Sequence, residues 1–353
     1  VTAQRRAAPI DADNSIVGVS RRGEWAMLHT WVMVSAGTLG ACVGSFLNVV
    51  IWRLPQEDPR LRSLGGRSRC PACGAQIAWH WNLPMLGWLL LRGRAACCGA
   101  RIAARYPAVE LLTALLFLVL AWLHPHAPLT TDAGADPQGL LAFVFQATFL
   151  SLLVAASFID LDHRLLLDVL TKPGMALGLL GSLVVPGLAG ESTALAWLLN
   201  EPSLASGRTA SLAASAVGLL AGFGVMQAIR VAASRIFRKE AMGFGDVKFL
   251  AMIGAFLGWQ GALSSLMLAC VAGALVGTVR RLFTADSMIP FGPFLAVGAV
   301  CSLFWGEDVF EFLFVTWPEW QRQSADSPLL LGLTAFLSLI ALILLVRKGR
   351  ANG

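Results

Sequence analysis

Two aspartates in this sequence stand where an apolar run meets a polar one, and each is placed to do chemistry. Asp246 follows Gly243-Phe244-Gly245 and opens a long apolar run through Val247 and Lys248. A carboxylate at the mouth of a membrane-length segment is costly and marks a functional position by default. The two glycines have no Cβ, so another chain can approach the backbone closely there. Gly-x-Gly-Asp alone is also how a loop ending in an aspartate helix cap reads, so a reaction needs a second group. Asp160 supplies it, at the end of another apolar run in Ile159-Asp160-Leu161-Asp162-His163-Arg164. Two carboxylates meeting in a low-dielectric cleft share a proton. One then acts as general base on water while the other donates to a scissile carbonyl oxygen. That is aspartyl protease chemistry, which uses no metal and no nucleophilic side chain. Asp162 and Asp168 are rivals for the partner role, and the position beside the apolar segment favours Asp160.

A second chemistry is written in cysteine. Of seven cysteines, Cys42, Cys270 and Cys301 lie singly in apolar segments, where a thiol behaves as a small hydrophobe. Cys70, Cys73, Cys97 and Cys98 cluster in one polar loop. Cys70-x-x-Cys73 has zinc-knuckle spacing, and a tetrahedral site needs a second pair. Cys97 and Cys98 are adjacent, and neighbours on an ordinary knuckle do not easily turn the same way. Zn2+ held by all four is the reading adopted; three cysteines with water or His80, or reduced thiols without metal, are the alternatives. Disulfides are not expected on the reducing side of a membrane.

The elements that must position these groups are membrane helices. Hydrophobic residues make up 56% of the 353 and charged residues 14%, against a usual charged share of about 25%. Several runs reach the ~20 apolar residues that span a bilayer. The chain reads as an all-α polytopic membrane protein of about 8–9 transmembrane helices with a small cytoplasmic zinc-ribbon-like loop subdomain. Its formal charge of +6 belongs to arginine-rich cytoplasmic loops, and no nucleic-acid partner is expected.

Residues 1–28 read as a polar N-terminal tail without signal-peptide character, and 29–52 as the first transmembrane helix. Residues 53–105 form a cytoplasmic cysteine-containing loop, where Arg53, Arg60, Arg62, Arg67, Arg69, Arg92, Arg94, Arg101 and Arg105 face only Glu57 and Asp58. A transmembrane peptidase domain follows over 106–306. Residues 307–353 complete the chain as an outer loop, a last transmembrane helix and a basic tail.

Spans are expected near 108–123, 140–159, 169–185, 210–229, 288–305 and 328–346. The run 249–279 is expected to cross twice, as two helices of about 22 Å each, breaking at Gly258-Trp259-Gln260-Gly261. Only then do Arg280 and Arg281 return to the basic side. The tail arginines Arg5, Arg6, Arg21 and Arg22 lie on the other side in this scheme, overruled by the stronger loop bias. Asp160 and Asp246 come to one face at one depth. Asn48 and Glu110 are polar within spans and need partners. Gly218 to Gly224 reads as a packing face, and no strand–Gly-x-Gly-x-x-Gly–helix unit is present. Trp79, Trp81, Trp88 and 83–91 read as the core of the zinc-stapled subdomain, with an interfacial segment beside the cleft as the other reading.

Gly44–Pro55 (GSFLNVVIWRLP), Cys70-Pro71-Ala72-Cys73-Gly74, Arg105–Glu110 (RYPAVE), Ile159–Asp168 (IDLDHRLLLD), Gly243–Lys248 (GFGDVK) and Ile289–Ala296 (IPFGPFLA) together resemble the type IV prepilin peptidases. These are Gly-x-Gly-Asp aspartyl proteases, and the likeness covers about residues 35–300 in the family's order. It implies Asp160 and Asp246 as the catalytic pair, with Gly243, Gly245, Lys248, Asp162, Asp168, Glu110 and Asn48 supporting substrate and cleft. It implies a multi-pass enzyme of the bacterial inner membrane, facing the cytoplasm among membrane lipid. Such an enzyme cuts the basic leader from prepilins or type II secretion pseudopilins after a glycine. It also implies S-adenosylmethionine-dependent N-methylation of the new N-terminal residue, usually phenylalanine. Asp162 and Asp168 are expected to receive the leader's positive charge.

The sequence departs from the pattern in two places. Ala95 stands where the second pair's first cysteine belongs, which bears on the methyltransferase and not on the peptidase. Leu167 replaces a proline before Asp168, which should loosen that turn. A proton-coupled transporter or channel would place acids at mid-membrane in repeated halves, and a non-enzymatic assembly scaffold leaves the aspartates unexplained.

Overall fold

Hydropathy this high leaves the backbone little choice but to satisfy its own hydrogen bonds locally, and helix dominates. The structure, a computed structural model, describes residues 13–66, 68–123, 137–189, 207–238, 242–283 and 290–324. The last expected span, the basic tail and the start of the N-terminal tail lie outside the described residues. Helix α1 spans Asp13–Arg53, and the short α2 and α3 span Pro59–Arg62 and Leu86–Leu90. Then come α4 (Arg105–Leu123), α5 (Pro137–His163), α6 (Asp168–Val184), α7 (Gly207–Phe237), α8 (Phe244–Phe283), α9 (Gly292–Glu311) and α10 (Trp317–Ser324). Among the described residues the only β pairing is two isolated bridges, Arg69 with Gln76 and Arg94 with Arg101.

Among the described residues six helices are long and apolar enough to cross a membrane: Thr30–Arg53, Arg105–Leu123, Pro137–His163, Gly207–Ile236, Phe244–Arg280 and Gly292–Trp320. The expected 8–9 also include the span at 328–346, outside the described residues, together with α6 and a second crossing in α8. Helix α6 has 17 residues, about 26 Å of rise, somewhat short of a hydrocarbon core. Helix α8 is interrupted at Gly258, whose φ of 70° and ψ of −177° fall in a region only glycine populates.

Neighbours along α8 show what that break does. Gly245 abuts Leu166 before α6, Gly254 abuts Gly218, and Gly258 abuts Ala189 beyond the far end of α6. Gly298 of α9 then faces Ser265, and Gly273 faces Phe291 and Phe294, back beside Asp160. The chain returns to the end it left, so α8 is two arms, as the charge pattern requires.

The first arm of α8 is the centre of the protein. Val247, Phe249, Leu250, Ala251, Met252, Ile253 and Ala255 are fully buried, and Phe256 stacks on Phe149 of α5 at 4.5 Å. Glycines on the surrounding helices make that enclosure possible. A Cβ at Gly178 would meet Ala255 at 2.8 Å, and one at Gly222 the Leu250 carbonyl oxygen at 2.5 Å. The expected packing role holds for Gly218 and Gly222, whereas a Cβ at Gly224 would meet nothing within 4 Å, and Asp246 opens the buried first arm of α8.

Two local readings change. Helix α5 continues through Asp160 to His163, so Asp160 lies in a last helical turn instead of a loop. Leu167 is extended with φ −79°, close to what proline would impose, so the turn before α6 keeps the proline-compatible geometry.

Candidate active site

Asp160 is buried where α5 ends, and its Oδ2 accepts a 2.9 Å hydrogen bond from the Gly292 backbone N–H. Gly292 opens α9 and is followed by Pro293. The first N–H groups of a helix have no partner within it, and their positive end suits a carboxylate. A Cβ at Gly292 would sit 2.6 Å from Asp160 Oδ2, so only glycine lets the helix come this close. Asp246, in the first turn of α8, is half-buried and near enough for its charge and that of Asp160 to act on one another.

The two glycines before Asp246 do different things. Gly243 is exposed, and a Cβ there would meet nothing nearer than 3.9 Å. A Cβ at Gly245 would lie 2.8 Å from the Cβ of Leu166. The backbone is therefore open at Gly243 and closed at Gly245. Gly245 is a packing contact with the α5–α6 turn.

Asp162 and Asp168 already have cationic partners. Arg105, at the start of α4, pairs with Asp162, stacks over Phe158 at 5.0 Å and donates to the Phe158 carbonyl at 3.3 Å. Asp168 pairs with Lys248 of α8 and, at 2.8 Å, with Lys172 one turn on. Lys248 also lies over the Phe244 ring at 4.9 Å. Neither acid is a vacant receptor for a basic leader. Asp162 ties the end of α5 to the start of α4, and Asp168 ties the start of α6 to the first turns of α8.

Asn48 and Glu110 find their partners elsewhere. Asn48 Nδ2 donates to the Tyr106 carbonyl at 3.0 Å, joining α1 to α4. Glu110 is buried in the same seam and accepts the Met85 backbone N–H at 2.7 Å and a hydrogen bond from Ser45. These bonds hold α1 on α4 and the cysteine loop on α4, away from the dyad. Gly292 and Arg105 were the contributors that motif reading passed over, although both sit in stretches it had quoted.

The cysteine loop is two knuckles of one design. Gly74 N–H donates to the Cys70 carbonyl and Cys70 N–H to that of Ala75, both at 2.8 Å. Gly99 N–H donates to Ala95 and Ala95 N–H to Ala100, also at 2.8 Å. Gly74 and Gly99 have matching φ of 71° and 69°. Ala95 therefore occupies the structural place of Cys70 and lacks its sulfur. Cys97 fills the gap: its Sγ is 3.3 Å from that of Cys73 and 3.9 Å from that of Cys98, while Cys70 and Cys98 are 3.8 Å apart. All four sulfurs lie within 4.8 Å, and tetrahedral Zn–S bonds of about 2.3 Å set sulfurs about 3.8 Å apart. The donor set fits a metal, and adjacent cysteines do converge.

Electrostatics agree. Backbone N–H groups of Cys73 and Ala72 lower the Cys70 thiol to about 7. Cys97 is pushed up to about 12, first by Cys73 and then by Cys70. Crowded sulfurs cannot all ionise without a cation among them.

The patch around 79–91 is not a core. Trp79, Leu83, Leu86, Leu89 and Leu90 are exposed. Gly87, against the Trp81 carbonyl, is buried, and Trp88, whose Nε1 donates to the Ile102 carbonyl at 3.1 Å, is half-buried together with Trp81, Met85 and Leu91.

Residues 38–124 match the family model described as bacterial Peptidase A24 N-terminal domain, and 147–278 match the type IV leader peptidase family. The chain is 36% identical over 299 residues to a prepilin leader peptidase/N-methyltransferase of Aeromonas salmonicida, covering 78% of this chain and 91% of that protein. A protein of the same description from Pseudomonas aeruginosa is 35% identical, with 77% and 89% covered. One from Myxococcus xanthus is 39% identical, with 70% and 62% covered. No solved structure matches.

Proposed function

Because this chain belongs to the type IV leader peptidase family, we propose that it is a membrane aspartyl endopeptidase that removes the leader from prepilins or type II secretion pseudopilins after glycine, and an N-methyltransferase for the amine so exposed. The observation that supports the peptidase reading is that Asp160 of α5 and Asp246 of α8 lie near enough for their charges to act on one another, with the Gly292 N–H on Asp160. We read 106–306 as the peptidase domain and 53–105 as the loop associated with methyl transfer.

In this mechanism one carboxylate takes a proton from water as the water oxygen bonds to the carbonyl carbon of the glycine that ends the leader. The protonated partner donates to the carbonyl oxygen, which would otherwise carry the developing negative charge. Collapse of the tetrahedral intermediate breaks the C–N bond, and the leaving amine takes up the proton held by the base. Gly292 N–H holds one Asp160 oxygen fixed, so little reorganisation is needed as charge moves. The exposed backbone at Gly243 leaves room for the extended leader. The substrate's apolar helix stays in the bilayer while its leader reaches the dyad on the arginine-rich side, which the positive-inside rule makes cytoplasmic. In a bacterium that is the inner membrane.

Cys70, Cys73, Cys97 and Cys98 would hold Zn2+ as a structural ion that fixes the loop. S-adenosylmethionine is the expected methyl donor, supplying an electrophilic methyl group when bound. We assign its binding to the cysteine-containing loop region, 53–105.

The test is incubation of the detergent-solubilised protein with a prepilin, comparing wild type with Asp160→Asn and Asp246→Asn. Full cleavage by either variant would overturn the dyad. Labelled S-adenosylmethionine scores methylation of the product amine separately.

A further inference from the structure

The cysteine loop carries apolar side chains that nothing among the described residues covers. Leu86, Leu89 and Leu90 are 56%, 60% and 70% exposed, and Trp79 is 79% exposed. Their depth follows from one hydrogen bond. Met85 N–H reaches Glu110, which lies about one and a half turns, roughly 7 Å, inside α4. Because the apolar run of α4 begins near 108, two residues before Glu110, the segment around Met85 lies at the level where that helix enters the membrane.

Its backbone is held there under strain. Met85 has φ 57° and ψ −45°, and Leu86 N–H closes on the Pro84 carbonyl at 2.5 Å. This is the rare form of γ-turn, kept in place by a buried carboxylate on the central N–H. The turn sends Trp88 and Gly87 inward and leaves the leucines outward.

Charge identifies what they face. Arg92, Arg94 and Arg101 follow the leucines, are exposed, and have no acidic partner among the described residues. Arg94 and Arg101 sit opposite one another in an antiparallel bridge, where like charges repel unless an anion lies between them. A basic prepilin leader is repelled by such a cluster. An anionic lipid headgroup above an apolar acyl layer matches both halves of the surface.

We propose that 83–91 is a shallow membrane anchor of the loop. Its leucines enter the leaflet, and Arg92, Arg94 and Arg101 bind the phosphates of anionic phospholipid. The inference rests on the membrane reading of the chain and is independent of the aspartate dyad.

The experiment places p-benzoylphenylalanine at Leu90, and separately at the exposed control Ala72, in full-length protein in nanodiscs. Discs contain phosphatidylglycerol mixed with phosphatidylcholine, or phosphatidylcholine alone. After irradiation, intact mass reports the crosslinked species, and prepilin cleavage by the same sample checks the peptidase reading on its own. The expected result is a phospholipid adduct at Leu90 several-fold above that at Ala72, with phosphatidylglycerol enriched over its share of the disc. Arg94→Gln with Arg101→Gln should abolish that enrichment and keep the adduct. Three results would each overturn the proposal: no lipid adduct at Leu90, equal adducts at both sites, or prepilin replacing lipid as the crosslinked partner when it is added.

Discussion

The backbone N–H of Gly292 donates to Asp160 Oδ2 at 2.9 Å across 132 residues of sequence. The bond joins the start of α9 to the end of α5. A Cβ at Gly292 would lie 2.6 Å from the accepting oxygen.

Gly292→Val should therefore push Asp160 out of register. A displacement near 1 Å costs on the order of 100-fold in rate. The check is kcat/KM for prepilin cleavage with membrane insertion and melting temperature unchanged. A Gly292→Val enzyme cleaving at the wild-type rate would show that the contact positions nothing.

Gly243 and Gly245 should separate. Gly243→Ala meets open space and should keep most of the activity. Gly245→Val drives into Leu166, and overpacking of this kind costs about 1–3 kcal/mol. Thermal unfolding and cleavage, measured together, should both fall for Gly245→Val alone.

Lys248 links Asp168 to the helix that carries Asp246, whereas Lys172 is largely exposed and bonds Asp168 within its own helix. Lys248→Gln should lower kcat more than Lys172→Gln does, and Asp168→Asn combined with Lys248→Gln should be no worse than Lys248→Gln alone. Equal effects of the two lysine variants would remove the assigned positioning role.

The relocated thiol makes a rescue experiment possible. Cys97→Ala should lower the metal content of the purified protein. Adding Ala95→Cys should restore it, because position 95 has the backbone of Cys70. A cobalt-substituted protein should show the sulfur-to-metal absorption of four thiolates in wild type and in the double variant, and a weaker band in Cys97→Ala. Methylation should follow the metal, and cleavage should persist throughout.

Glu110→Leu removes the acceptor of the Met85 N–H, leaving a strained turn without its anchor. Amide exchange over 83–91 should speed up by at least an order of magnitude, since a lost charge-assisted hydrogen bond is worth about 1.5–3 kcal/mol. Exchange in α5 should not change.

Much of this protein is legible in its sequence. Hydropathy and arginine placement are local properties, so the membrane helices could be read directly, and the double crossing of α8 followed from Arg280, Arg281 and the glycines at 258 and 261. The family motifs marked Asp160 and Asp246 for the same reason: each sits at the end of its own apolar run.

What the sequence could not decide is which groups meet. Asp162 and Asp168 read as free acids until Arg105 and Lys248 arrive from other helices. Glu110 read as cleft support until Met85 arrived from the loop. Cys97 read as an awkward neighbour of Cys98 until the second knuckle placed Ala95 opposite its structural counterpart Cys70. Burial along one helix is set by the residues of that helix, whereas a hydrogen bond or an ion pair is set by where two distant backbones end. The sequence by itself determined a membrane-spanning protein with two carboxylates at one face, and the tertiary structure decided what holds each carboxylate still.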